Sequence, residues 1–243
     1  MATKPLPSDD KRLTLPLLTR REVAHYVDVP QTTLRNWITG YEFPVVTGKK
    51  TSAPIVHTVP NVIRGRPDVP FIGLVEALVL AGFRRKHNLS MQKIRKALDA
   101  LEWEIGVKTA LANRALYTDG AQILWDYAKK TDDQDIQELV EPGTGQKVFV
   151  EPVRQYLELI AYDADLWASQ VTLPEFQPTV VVIDLNRAFG GPVLDQYRVR
   201  VEDITDRFYR GKDSIGDIAA DLEIPPAEVE NVIRVAGPTA IAA

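Results

Sequence analysis

Leu18-Thr19-Arg20-Arg21-Glu22-Val23-Ala24-His25-Tyr26-Val27-Asp28-Val29-Pro30-Gln31-Thr32-Thr33-Leu34-Arg35-Asn36-Trp37 is the stretch on which the fold turns. Thr19 stands three residues ahead of Glu22, the spacing of a capping box, so a helix starts there. Val23, Ala24, Tyr26 and Val27 give that helix an apolar face, and Asp28-Val29-Pro30 interrupts it. A second apolar stripe follows at Leu34, Trp37 and Ile38. Its other face carries Gln31, Thr32, Thr33, Arg35 and Asn36, side chains that hydrogen-bond to phosphates or base edges. Two short helices, a tight turn and a polar second face are the layout of a helix-turn-helix reader, with Arg20 and Arg21 as further candidate contacts at the start of the first helix. An ordinary helical hairpin shares the periodicity, so the neighbouring sequence has to decide.

Charge is divided along the chain. The net charge of the 243 residues is -4. Residues 1–108 hold 17 Lys and Arg against 10 Asp and Glu, a net +7, which leaves -11 for residues 109–243. A basic first half suits a polyanion, and an acidic second half suits a basic protein. Cysteine is absent, so disulfides, thiol catalysis and Cys-based zinc sites are excluded. With 45% hydrophobic and 26% charged residues, and no long uncharged apolar run, the chain reads as a cytoplasmic globular protein that meets no membrane.

Residues 1–14 are polar, with Pro5 and Pro7, and read as a loose arm. After the helix pair, Pro44-Val45-Val46, Ile55-Val56-His57 and Val62-Ile63-Arg64 read as short strands around the turn Thr47-Gly48-Lys49-Lys50-Thr51. A basic hairpin directly behind a recognition helix is a wing, in which Lys49, Lys50, Arg64 and Arg66 contact phosphates. A solvated loop would have the same composition. From Phe71 the period becomes helical, with Leu74, Val75, Leu78 and Val79 on one stripe ending near Gly82. Ser90 is placed to cap a longer helix over 91–105. The Thr33-Leu34-Arg35-Asn36-Trp37 segment and Leu89-Ser90-Met91-Gln92-Lys93-Ile94-Arg95-Lys96-Ala97-Leu98, in this order, resemble the winged helix-turn-helix of MerR-type regulators. The resemblance implies DNA binding by residues 15–108.

Residues 109–178 read as a connecting or dimerisation region. Asp119 is placed to cap a helix to Lys130, Asp132-Asp133-Gln134-Asp135 is a polar connection, 137–150 reads as a hairpin and 153–162 as a short helix. Residues 179–236 open with the strand Val180-Val181-Val182-Ile183-Asp184-Leu185 and continue as a three-helix unit with Gly211, Ser214 and Pro225-Pro226 at its joints. This unit reads as a second helix-turn-helix, followed by a tail over 237–243. Its acidic load, which includes Glu202, Asp203, Asp206, Asp213, Asp217, Asp221, Glu223, Glu228 and Glu230, favours a protein partner over DNA.

Gly191-Pro192-Val193-Leu194, Arg198-Val199-Arg200-Val201, Arg210-Gly211 and Ser214 with Ile218-Ala219 resemble the domain-of-unknown-function 433 family. That family carries Gly-Thr before the Arg and a Pro two residues after it, where this chain has Gln196-Tyr197 and Arg200. A MerR-like reader in front of such a unit resembles antitoxins of the VapBC type. The resemblance implies an antitoxin that inhibits a PIN-domain ribonuclease, represses its own operon on operator DNA, and forms a homodimer within a hetero-oligomer. The rival reading is an effector-responsive MerR-like regulator with no toxin. His25, His57 and His87 have no ligand spacing, and no nucleophile elbow or phosphate-cradling loop is present, so no enzyme, cofactor or metal is expected. The expected fold class is mainly α with short β elements (α+β).

Overall fold

The computed structural model describes residues 4–45, 48–60, 63, 65–87, 91–106, 108–139 and 154–240. It begins with a short helix, α1 (Lys11–Thr14), capped by Asp10, whose carboxylate accepts the Arg12 N–H at 2.8 Å. The expected loose arm is corrected here. From residue 4 onward it is tied to distant sequence, with Trp167 Nε1 donating to the Lys4 carbonyl at 3.0 Å and Arg12 reaching Asp165 at 2.6 Å.

Helices α2 (Arg20–Tyr26) and α3 (Gln31–Thr39) follow as expected. Strands β1 (Tyr41–Val45) and β2 (Gly48–Ser52) pair antiparallel, so the wing exists in a different register from the expected one. Lys49, Lys50 and Thr51 lie in β2 and not in a turn, opposite Pro44, Phe43 and Glu42. Gly40 sets this start, since it has φ 70° and a Cβ there would stand 2.0 Å from the Ser52 carbonyl oxygen. The expected strand at 55–57 is absent: the Ile55 and Val56 N–H groups both donate to the Trp37 carbonyl, at 2.8 and 3.2 Å, and dock the chain on the end of α3. Val62 and Arg64 fall outside the described residues.

Helix α4 (Phe71–His87) runs past Gly82, where the sequence suggested an end. Every side chain from Phe71 to Phe83 is buried, so this helix is the central post of the molecule. Gly82 is a packing device: a Cβ there would stand 2.6 Å from the Tyr156 ring. Helix α5 (Met91–Ile105) has the expected bounds, while its expected cap Ser90 lies outside the described residues. Helix α6 (Arg114–Thr131) starts earlier than expected, because Asn113 and not Asp119 caps it by accepting the Ala115 N–H at 2.9 Å. The polar connection is a joint: Asp132 is left-handed (φ 54°), and Asp133 accepts the Ile136 N–H at 3.3 Å at the head of α7 (Gln134–Leu139). Residues 137–139 therefore end a helix and do not open a hairpin; 140–153 lie outside the described residues.

The helix expected over 153–162 is only the turn α8 (Arg154–Leu157), after which β3 (Ile160–Tyr162) begins. With β4 (Ala168–Thr172), β5 (Val181–Asp184), β6 (Val193–Leu194) and β7 (Val199–Arg200) it forms a five-stranded antiparallel meander. Val171 pairs with Ile183 and Val181 with Leu194, so this sheet draws strands from both sides of position 179. Helices α9 (Val201–Asp206), α10 (Ile215–Leu222) and α11 (Pro226–Ala240) close the chain. The expected tail is helical through Ala240. The class is α+β, and buried side chains from Leu18 to Ala236 form one continuous core. Among the described residues no helix is long and apolar enough to cross a membrane.

Candidate nucleic-acid interface

The capping box is formed in full. Thr19 Oγ1 accepts the Glu22 N–H at 3.2 Å, and Glu22 Oε2 accepts the Thr19 N–H at 2.7 Å. The turn depends on Asp28, which takes a left-handed φ of 47°, a conformation Asp tolerates better than most residues. This brings the Val29 N–H onto the Ala24 carbonyl at 2.9 Å and swings the chain into α3. Leu34, Trp37 and Ile38 are then buried, and Gln31, Thr32, Arg35 and Asn36 are exposed together, with Thr33 half-buried beside them.

The other predicted contacts fare differently. Arg20 is engaged by Asp68: its Nε and Nη2 lie 2.8 and 2.7 Å from Asp68 Oδ2, where it clamps the start of α2 to the segment before α4. Arg21 is exposed and shares a groove with Gln31 and with Glu175 from the second half of the chain. Lys49 and Lys50 belong to strand β2, behind α3, though only their backbone is described. Arg66 is exposed, and Arg64 lies outside the described residues.

A second helix-turn-helix is built on the same plan. Ser214 Oγ accepts the Asp217 N–H at 3.1 Å, Glu223 takes a left-handed φ of 55°, and the Ile224 N–H meets the Ala219 carbonyl at 3.0 Å. The two motifs are in register at a constant offset of 195 positions, from Thr19 and Ser214 onward. Glu22 corresponds to Asp217, Ala24 to Ala219, Asp28 to Glu223, Pro30 to Pro225, Leu34 to Val229 and Ile38 to Ile233. Sequence reasoning singled out both motifs and missed this register, although Ala-x-x-x-Asp/Glu-Val/Ile-Pro at both turns displays it.

The copy lacks the exposed polar face of α3. Gln31 and Arg35 correspond to Pro226 and Glu230, which inverts the charge at the centre of the helix. Asn36 corresponds to Asn231, which is buried and donates from Nδ2 to the Phe176 carbonyl. Glu228 accepts the Tyr197 hydroxyl at 2.9 Å, and this bond pushes the phenol's acidity down by raising its pKa. Much of the acidic load of this unit is also offset internally. Arg207 reaches Asp213 and Asp221 at 2.7 and 2.8 Å, Arg210 reaches Asp206 at 3.2 Å, and Arg200 pairs with Glu202 and Asp203.

The two motifs touch. A ring nitrogen of His25 lies 2.7 Å from the Val235 carbonyl oxygen in α11, and the Tyr26 ring meets Phe176 at a centroid distance of 6.0 Å. Tyr26 is buried at this junction, and burial raises its phenol pKa well beyond the usual range. The first motif is thus seated on the second half of the chain through side chains of α2, with the polar face of α3 exposed.

Residues 16–98 match a family described as a putative DNA-binding HTH domain. The chain is 36% identical over 232 residues to Putative antitoxin VapB45 of Mycobacterium tuberculosis, a match that covers 91% of this chain and 94% of that protein. The crystal structure of Rv2018 from Mycobacterium tuberculosis superposes with a TM-score of 0.72 at 33% identity, over 91% of this chain and 99% of that one.

Proposed function

The chain belongs to the family of VapB45, and from that membership we propose that it is an antitoxin that binds DNA. The observation that carries the DNA-binding part is the open face of α3, where Gln31, Thr32, Arg35 and Asn36 stand exposed on a helix held rigid by Leu34, Trp37 and Ile38. Arg35 and Asn36 read base edges, and Thr32, Thr33 and Gln31 fix the helix on phosphates. Lys49, Lys50, Arg64 and Arg66 hold the wing on the backbone in the MerR manner, with Arg21 at the flank. Arg20 stays on Asp68 and contributes by orienting α2.

The protein binds its own operator as a homodimer and represses its operon, matching two-fold half-sites. Its second half, carrying the unit that resembles the domain-of-unknown-function 433 family, meets a PIN-domain ribonuclease and blocks it. Glu230 in place of the reader's Arg35 supports this assignment, since an acidic helix face is repelled by DNA and attracted by a groove built for RNA.

The test uses the full chain and Arg35→Ala, measured on the DNA upstream of the gene and in RNA cleavage by the copurifying nuclease. Arg35→Ala should cost about 1–3 kcal/mol of specific DNA affinity and leave inhibition of cleavage intact. Unchanged DNA affinity and sequence preference would overturn the assignment of α3. Absence of any copurifying nuclease activity that the chain inhibits would overturn the antitoxin reading.

A further inference from the structure

Trp103, near the end of α5, is 78% exposed. A side chain of this kind has about 150–250 Å² to bury, and tryptophan is enriched where proteins meet one another. The stripe of α5 that carries it reads Gln92, Lys96, Asp99 and Trp103, all four exposed. Ile94, Ala97 and Leu101 on the opposite side of the helix are buried in the core, so the stripe points straight outward. Its steps of four, three and four residues are those of a seam along which a second helix lies at a shallow angle.

The stripe is complementary to itself in one direction only. Its midpoint falls between Lys96 and Asp99, and at 1.5 Å per residue Gln92 and Trp103 each lie about 8 Å from that midpoint. Turned end for end on a second copy, Lys96 meets Asp99 and Asp99 meets Lys96, while each indole lies over the opposite Gln92. Such an exchange is what a two-fold contact between identical surfaces demands. Laid in the same direction and in register, the two stripes would set Lys96 on Lys96 and Asp99 on Asp99, which repel. Lys96 Nζ lies 3.7 Å from Asp133 Oδ1 with half of its side chain exposed. An ammonium has three N–H donors, so this contact leaves room for a second carboxylate.

We propose that this stripe of α5 is the surface through which two copies of the chain associate, antiparallel, with Trp103 as the anchor and the Lys96–Asp99 pairs setting the direction. The inference rests on the homodimeric reading and gives that dimer its contact surface. It shares no residue with the polar face of α3.

The experiment is sedimentation equilibrium of the full chain over a range of concentrations, for the wild type and for Trp103→Ala, Lys96→Glu and Asp99→Lys, with melting temperatures recorded for each. The wild type should dimerise. Trp103→Ala should weaken the dimer by about a hundredfold or more, at least tenfold for each of its two anchors. Lys96→Glu and Asp99→Lys should each weaken it about tenfold, since both pairs become like-charged. An equimolar mixture of these two variants should associate about as the wild type does, because every contact across the mixed pair again joins opposite charges. Loss of the Asp133 contact within one chain cannot produce that recovery, so the mixture decides the matter even where a single variant is less stable. A wild-type dimer that is indifferent to these changes, or a mixture as weak as its components, would overturn this surface and leave the homodimer standing. A wild type that stays monomeric at every concentration would overturn both.

Discussion

Glu76 provides a quantitative check on the packing around α4. Its side chain is 3% exposed, and its Oε2 accepts the His57 N–H at 2.6 Å. Burial pushes the carboxyl from the ordinary 4.5 up to about 8, with the nearby Glu102 adding to the effect and the His57 bond opposing it. The folded chain therefore keeps a proton on Glu76 across a range in which the unfolded chain has lost it. The folded-state pKa is the raised one, so the contribution of Glu76 is fully present below about pH 4.5 and is lost as pH rises through about 8. Each pH unit in that window is worth about 1.4 kcal/mol, so the whole interval amounts to about 4–5 kcal/mol. Glu76→Gln keeps an oxygen for the His57 N–H and removes the titration. Urea unfolding of both proteins at pH 5, 6, 7 and 8 should show the variant gaining on the wild type by about 1.4 kcal/mol per unit. Taking the difference between the two cancels the other titrating groups. A difference that stays flat with pH would show that Glu76 is ionised in the fold, and the reasoning from its enclosure would fail.

Replacing Lys49 and Lys50 together by Ala should lower the salt slope of DNA binding by about 2, one for each phosphate contact; an unchanged slope in filter-binding titrations would take the wing off the DNA. Gly73→Ala should destabilise the protein by about 1–3 kcal/mol, because a Cβ there would stand 2.3 Å from the backbone carbonyl oxygen of His57. An unchanged melting temperature would refute that close approach. Thr19→Ala and Ser214→Ala should each cost about 0.5–2 kcal/mol, and similar values from denaturant unfolding are the expected signature of two motifs built alike.

The parts legible in the sequence are those fixed by local chemistry. Thr19 with Glu22 and the buried triplet Leu34, Trp37 and Ile38 act within one or two turns of helix and appear where their spacing placed them, and Ser214 opens a helix as its place at a joint suggested. Distant contacts account for the misses. Gly82 looked like a helix end because its reason for being glycine, the Tyr156 ring, lies 74 positions away. Asp119 looked like the cap of a helix running to Lys130, whereas that helix is already capped at Asn113, whose bridge partner in the fold lies outside its own segment. The meander over 160–200 has strands of two to five residues, too short to impose a period of their own. At the candidate interface, Gln31, Thr32, Arg35 and Asn36 were readable from helical periodicity alone. The diversion of Arg20 to Asp68, 48 positions on, was not.

Helix α4, buried on every face from Phe71 to Phe83, bears on how the two ends of the chain depend on each other. The core it anchors continues from Leu18 to Ala236, and α2 leans on α11 through His25 and Val235. Among the described residues, loss of α11 would take with it part of the seat on which α2 rests. Removal of the C-terminal helix would therefore be felt at the first helix-turn-helix as well as at the second.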